Sequence, residues 1–397
     1  MNLKKKNILL VSSFLPYPLN VGGKIRIYKL CKLLSSKYNF ILLSLINNPR
    51  EIDYIPQLRS VFSQIYLVLE RSLPKSLLYP VSYFGSYSKA LIKKFTEIIK
   101  DNCIDLVHIE SNELLYLTGF CKNKPILYTE HDISSLFLAD SHYPYYGIFD
   151  YLKRVHFHWH FYKRLDGIIV LSEKDGEFVK RFVKDKNIYY LPTGVDLGYF
   201  YFNKRNHDSN KLIFVGWYLH YPNEDAIVYF IERIFPLIKN KISNIELLVV
   251  GSDPTIRIQN LSRREGVNLI GPVKDIRRHL DSAGVFVSPI RYGSGIKTKV
   301  LEAMANGLPV VATHKGIEGI YARDGEEVLI SDSPRGFAER VIGLFFDLKL
   351  RDKLSQNARR LVEEKYDFTK IAGQLEVIYK NVLTIDIGNT PIFNITL

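Results

Sequence analysis

Short apolar runs alternate with longer stretches whose apolar positions recur every three to four residues. The runs Asn7–Ser12, Phe40–Leu45, Ile65–Leu69, Asp105–Ile109, Ile126–Thr129, Gly167–Leu171 and Ile188–Leu191 predict strands. Helical patterns lie between them. In Ser88–Asp101, for example, Leu91, Ile92, Phe95, Ile98 and Ile99 fall on one stripe. A second series has strands at Lys211–Gly216, Ile245–Gly251, Val267–Ile270, Val285–Pro289, Val310–Thr313 and Val328–Ser331. Its helices read Asn223–Lys239, Thr255–Glu265, Asp275–Ala283, Ile296–Asn306 and Arg335–Asp347. Continuous apolar strands alternating with helices predict parallel sheets covered on both faces, so two series predict two doubly wound α/β domains. The polar, turn-rich stretch Gly198–Asn210 marks the break. It sets a first domain at 1–197 and a second at 205–368, with helices at Leu350–Lys365 and Thr369–Leu383 closing the chain.

A length of 397 residues is enough for two or three domains, and 47% hydrophobic residues exclude a disordered chain. The net charge of +13 falls mostly in residues 1–200, which predicts an anionic partner there. Cys31, Cys103 and Cys121 form no CxxC pair, so a disulfide framework or zinc knuckle is not expected and a reducing, cytoplasmic setting is. Lys4–Lys6 resemble the start of a signal peptide, but the apolar run Ile8–Val11 is too short for one, and no run reaches the ~18–20 apolar residues of a spanning helix.

In a doubly wound sheet, ligands bind beyond the carboxyl ends of the strands, here expected in a cleft between domains. One such segment stands out. After Ser288-Pro289 come Gly293, Ser294 and Gly295, then Ile296, Lys297, Thr298 and Lys299 at the start of a helix, and then Glu302. Glycines admit a ligand to the backbone, free N–H groups at a helix start favour phosphate, and the two lysines add full charge. Glu302 shares a helix face with Lys299, where a carboxylate can accept two hydrogen bonds from a ribose diol. Together these describe a nucleoside-diphosphate site; a solvated lysine pair on an ordinary strand–loop–helix is the plainer reading. A P-loop does not fit, because Ile296 separates the last glycine from the lysine.

This segment closely resembles the donor-binding motif of family 4 glycosyltransferases, and the likeness extends along most of the chain. Pro16-Tyr17-Pro18 followed by Gly22-Gly23-Lys24-Ile25-Arg26 resembles the family's first glycine-rich loop. Asp166–Ser172 resembles its strand ending in serine, and Leu191–Asp196 its interdomain signature. Phe214-Val215-Gly216 with Pro222-Asn223-Glu224-Asp225-Ala226 resembles a sub-branch of bacterial polysaccharide assembly, and Gly316–Ile320 also fits. The resemblance implies a GT-B fold whose last helix, within 369–397, crosses back to the first domain. It also implies a retaining transfer from a nucleotide sugar, such as a UDP- or GDP-sugar, to a glycan or lipid-linked acceptor. No cofactor and no essential metal are implied, and the chain lacks an Asp-x-Asp. The diphosphate would then rest on Gly22, Gly23, Lys24, Arg26, Lys297 and Lys299, with Gly216, Asn223, Gly293, Ser294, Gly295, Ile296 and Thr298 completing the donor site. Glu302 would hold the ribose.

Two positions depart from the family pattern. Ser294 stands where the first of two spaced glutamates is usual, which leaves the sugar open. Gly216 is followed by Trp217-Tyr218-Leu219-His220 rather than a cationic pair. The family has a histidine where His131 ends Tyr128-Thr129-Glu130-His131. His131 can donate to a sugar oxygen or take the acceptor proton, with Asp132 orienting it; alone, a histidine at a strand end is more often structural. Lys299 and Glu302 join it as the expected catalytic set. His156 and His160 share a helix face in the geometry of a zinc pair, but without an evident third ligand among bulky aromatics they read as helix packing. Lys89, Lys93, Lys94 and Lys100, with Tyr79, Tyr83, Phe84 and Tyr87 nearby, read either as a solvated face or as a seat on an anionic membrane surface. No nucleic-acid recognition motif is present. A nucleotide-sugar 2-epimerase and a non-catalytic nucleotide-sugar-binding protein are the alternatives.

Overall fold

The computed structural model describes residues 5–73, 79–101, 103–131, 133, 147–183, 186–202, 209–293 and 295–384. Ser294 and Asp132, both singled out above, lie outside the described residues. The chain divides into two units. One comprises Met1–Pro192 and the chain from Thr369 onward, the other Thr193–Phe368.

The first unit is built on seven parallel strands: β1 (Lys6–Ser12), β2 (Tyr38–Leu45), β3 (Phe62–Val68), β4 (Leu106–Ile109), β5 (Ile126–Glu130), β6 (Gly167–Val170) and β7 (Asn187–Tyr190). They lie in the order β3-β2-β1-β4-β5-β6-β7. Register is set by burial. Leu9 pairs with Ile41 and Val11 with Leu43 on one face of the sheet, and Ile8 with Phe40 and Leu10 with Leu42 on the other. Ile8, Leu9, Leu10 and Val11 are all fully buried, so both faces are covered. The order reverses between β1 and β4, and the loops leaving those strands carry Gly22-Gly23 and Glu110.

The second unit has six parallel strands: β8 (Lys211–Val215), β9 (Glu246–Val250), β10 (Val267–Gly271), β11 (Val285–Ser288), β12 (Val310–Ala312) and β13 (Leu329–Ile330). Their order is β10-β9-β8-β11-β12-β13, so the switch point falls between β8 and β11. The segments after those two strands are those with Gly216 and with Gly293–Lys299.

Three features differ from the sequence reading. The polar stretch after Gly198 is not where the units divide. Val195 and Phe200 are buried in the second core. Val195 N–H donates to the Tyr366 carbonyl at 2.7 Å, so the chain already belongs to the second unit at 193. The helix expected over Asn223–Lys239 is interrupted: an α-helix at Tyr221–Tyr229 gives way to a π-helical turn at Phe230–Ile234 and resumes over Phe235–Lys239. Pro236 lacks an N–H and its ring would strike the carbonyl four residues back, so the turn widens ahead of it. Tyr79 and Tyr83, expected beside the basic helix as a lipid-facing surface, are instead buried in the first core. No helix among the described residues is long and apolar enough to cross a membrane.

Candidate functional site

In the second unit, β11 ends at Ser288 and the chain loops to a helix at Thr298–Ala305. Gly293 and Gly295 have φ of +83° and +74°, backbone that glycine adopts at no steric cost. A Cβ at Gly293 would lie 3.1 Å from the Pro222 ring. Lys297 occupies the N-cap position and gives no side-chain cap, leaving the first helical N–H groups available to a ligand. The Lys297 ammonium donates to the Gly295 carbonyl at 2.7 Å.

Lys299 ties this loop to the neighbouring strand end. Its Nζ donates to Asn223 Oδ1 at 2.6 Å and lies 4.4 Å from the centre of the Phe214 ring. Asn223 in turn donates through Nδ2 to the Trp217 carbonyl at 2.9 Å. Gly216 lets Asn223 come this close, since a Cβ there would be 3.1 Å from the asparagine's Cβ. Ile296 packs its side chain toward the core beneath the loop. Glu302 lies one helical turn beyond Lys299, and no hydrogen-bond donor among the described residues reaches its carboxylate. Burial lowers Lys299 to about 7, with Lys297 acting in the same direction and Glu302 opposing. Burial raises Glu302 to about 7, opposed by Lys299. Burial thus disfavours the charged form of both the lysine and the carboxylate. An anion at the lysines and a diol at the glutamate would each favour one of those charged forms.

In the first unit, Gly22 and Gly23 open a helix at Gly22–Leu34 that carries no side-chain cap from Val21. Lys24 reaches back to the Tyr17 carbonyl at 3.3 Å, and burial lowers its pKa against the opposing pull of Glu51. Arg26, expected on the diphosphate, is a correction. It is 1% exposed, turned into the body of the unit, with a nitrogen 3.3 Å from the Leu191 carbonyl and another 3.9 Å from Glu110. At the fifth residue of a helix whose N-terminus faces the switch point, its side chain leaves on the inner face.

His131 follows β5 directly. Its Nε2 lies 2.6 Å from Glu110 Oε2, at the end of the adjacent strand β4. The sequence patterns do not single out Glu110. The signal available was an acidic residue two positions after His108 at the end of an apolar strand. Burial opposes its charge, but His108, His131 and Arg26 outweigh burial and hold Glu110 at about 2. His156 and His160 stack with ring centres 6.2 Å apart. Among the described residues no group of three His, Cys, Asp or Glu side chains is arranged to hold a metal.

The family profile described as "Glycosyl transferases group 1" matches residues 209–347, and that of "Glycosyltransferase Family 4" matches 51–199. The chain is 23% identical over 402 residues to an uncharacterised 44.6 kDa protein in the cps region of Klebsiella pneumoniae, covering 93% of this chain and 98% of that one. It is 27% identical over 238 residues to the capsular polysaccharide biosynthesis glycosyltransferase CapM of Staphylococcus aureus, covering 54% of this chain and 62% of CapM. Among solved structures it is similar to a sucrose-phosphate synthase from Thermosynechococcus elongatus, with a TM-score of 0.75 at 19% identity over 95% of this chain and 99% of that one. It is also similar to Anabaena HepE in complex with UDP, with a TM-score of 0.71 at 14% identity over 95% of this chain and 100% of HepE. Profiles matching both units, two doubly wound parallel sheets and these neighbours agree: the chain is a glycosyltransferase of family 4 with the GT-B fold.

Proposed function

We propose that this glycosyltransferase transfers a sugar, with retention and without a metal, from a nucleoside-diphosphate donor to a hydroxyl of a glycan or lipid-linked acceptor in polysaccharide assembly. The observation that carries the donor half is the Lys299–Asn223 pair beside Gly293, Gly295 and the uncapped helix start. Thr298 N–H, Lys297 and Lys299 take the diphosphate oxygens, and Glu302 takes the ribose. Gly22, Gly23 and Lys24 offer further amides and charge. CapM, named for capsular polysaccharide biosynthesis, and the relative in a cps region support the pathway class. HepE, solved with UDP, supports a nucleotide ligand.

In a front-face displacement the acceptor oxygen bonds to the anomeric carbon on the side the diphosphate leaves. The electron pair of the broken bond goes to the departing phosphate oxygen, which also takes the proton that the acceptor hydroxyl loses. Without a metal, the growing charge on that oxygen is met by lysines and helix N–H groups already in place. His131 binds the transferred sugar.

The protein works at the cytoplasmic face of a membrane in this reading. The supporting surface is the helix Gly147–Tyr162 rather than Lys89–Asp101. Ile148, Phe149, Leu152 and Trp159 are exposed on it, with Phe149 at 79%, and Lys163 stacks over Trp159 at 3.1 Å. Exposed apolar residues flanked by Lys153, Lys163 and Arg164 suit an anionic bilayer.

Calorimetric titration with UDP, GDP, ADP and their sugar conjugates in EDTA tests the donor site. One nucleotide binds selectively, and Glu302→Ala weakens it by ~1.5–3 kcal/mol, the scale of a charge-assisted hydrogen bond. Unchanged affinity in Glu302→Ala would sink the ribose assignment.

A further inference from the structure

We infer that Glu110 is a positioning residue that fixes His131 as a hydrogen-bond acceptor toward the transferred sugar, so that the sugar must present a hydroxyl there. The inference rests on the reading above that places His131 beside the sugar.

Glu110 is 2% exposed at the end of β4. Its Oε2 lies 2.6 Å from His131 Nε2. Its Oε1 lies 3.3 Å from His108 Nε2 and 3.9 Å from an Arg26 guanidinium nitrogen. The Arg26 guanidinium is the standing cation beside the carboxylate, while burial lowers His108 to about 4 and keeps that ring neutral. An ionised carboxylate only accepts, so His131 Nε2 carries the proton of that bond. In a ring that carries one proton, Nδ1 is then the unprotonated nitrogen. Among the described residues Nδ1 has no partner, and the His131 side chain is 25% exposed, unlike the other members of the cluster. A lone pair on a partly open ring nitrogen accepts from a hydroxyl and gives nothing to an ether or carbonyl oxygen.

Glu110 is itself held in place. His108 sits fully buried with Nε2 also 2.8 Å from Thr129 Oγ1, and Nδ1 2.9 Å from the Tyr379 hydroxyl. Tyr379 belongs to the closing helix Phe368–Leu383. Tyr379 and Thr129 thus fix the His108 ring by hydrogen bonds, and that fixed ring lies 3.3 Å from the Glu110 carboxylate that meets His131.

The test is in two parts, on the full chain. First, long-range proton–nitrogen spectra of 15N-labelled protein at about pH 8, with His131→Ala to assign the ring, read its tautomer directly. The expected result is protonated Nε2 with unprotonated Nδ1 in the wild type. A ring protonated on Nδ1 alone, or one averaging between tautomers, overturns the proposal, and this reading needs no substituted Glu110. Second, Glu110→Gln lowers kcat by about 10- to 100-fold in the wild-type background and by nothing further in His131→Ala, with nucleotide affinity unchanged. Glu110→Asp, which keeps the charge, recovers part of the loss. An equal loss in both backgrounds means that Glu110 acts on the fold and not through His131. If no nucleotide binds the wild type, the donor reading fails while the tautomer result still decides this one.

Discussion

Lys299 and Asn223 are 76 residues apart, yet the ammonium of one donates to the amide oxygen of the other at 2.6 Å. The lysine comes from the helix after β11 and the asparagine from the helix after β8, the two strands at the switch point of the second sheet. Asn223 neutralises nothing. It holds Lys299 in place through a neutral acceptor and leaves the charge to be used by a ligand.

This arrangement separates two substitutions that look alike. Asn223→Ala removes the acceptor and is expected to weaken nucleotide binding by about 1 kcal/mol, because a partly buried ammonium loses its anchor. Asn223→Asp keeps the geometry and adds a carboxylate that competes with phosphate for the same cation. Calorimetry is expected to rank affinity as wild type, then Ala, then Asp. Asp binding as well as wild type would show that Lys299 does not serve the phosphate.

The pH dependence of nucleotide binding follows from the same pair. Burial brings Lys299 down to about 7 and Glu302 up to about 7. Above 7 the free site has a neutral lysine, and a diphosphate that favours the ammonium must draw in a proton, so affinity falls with rising pH. Below 7 the glutamate is neutral and a weaker acceptor, so affinity falls again. The maximum is expected near 7, with a limit of about tenfold per pH unit on each limb. Titrations at pH about 8 in two buffers of different ionisation enthalpy should show proton uptake, and Lys299→Met should abolish it. Affinity flat from neutral pH upward in the wild type would remove Lys299 from the site.

Gly251, just after β9, is one of the points where the second unit has no room for a side chain. Its φ is +147°, and an added Cβ would fall inside the carbonyl oxygen of Gly216. The oxygen is backbone and the Cβ is fixed by backbone, both at neighbouring strand ends, so neither can rotate away. Gly251→Ala is expected to cost at least about 2–3 kcal/mol, seen as a lowered thermal midpoint, and to weaken nucleotide binding by displacing Gly216 and with it Asn223. A midpoint within a degree of wild type would mean that the strand ends relax freely.

For the exposed helix face, co-sedimentation with vesicles containing anionic lipid is the direct measurement. Wild type is expected to bind these and to bind neutral vesicles weakly, with Trp159 emission shifting blue in a Trp217→Phe background. Phe149→Glu with Leu152→Glu should release it. Equal binding of wild type and the double variant would place the membrane contact elsewhere.

Much of the fold was readable because it is written locally. The run Asn7–Ser12 is a strand whichever sheet it joins, and Ile8–Val11 buried on both faces already implies parallel neighbours. The π-helical turn before Pro236 was readable in principle, since a proline inside a helical pattern disturbs the turn ahead of it. The buried places of Tyr79 and Tyr83 were not. Nothing in an aromatic's neighbours along the chain says whether it faces lipid or core.

The candidate donor loop was also local. Gly293, Gly295, Lys297, Lys299 and Glu302 fall within ten residues, and strand–glycine–helix chemistry is a property of contiguous chain. What came from tertiary structure alone is which charged groups meet. Arg26 and Lys24 are two residues apart in one basic loop-helix start, and a half-turn of helix sends one outward and the other into the body of the unit. Glu110 and His131 are 21 residues apart and become partners because β4 and β5 lie side by side in parallel. Periodicity assigns a residue to a face of its own element. It carries no information on which element will stand opposite, and the burial and pairing of a charge depend on that.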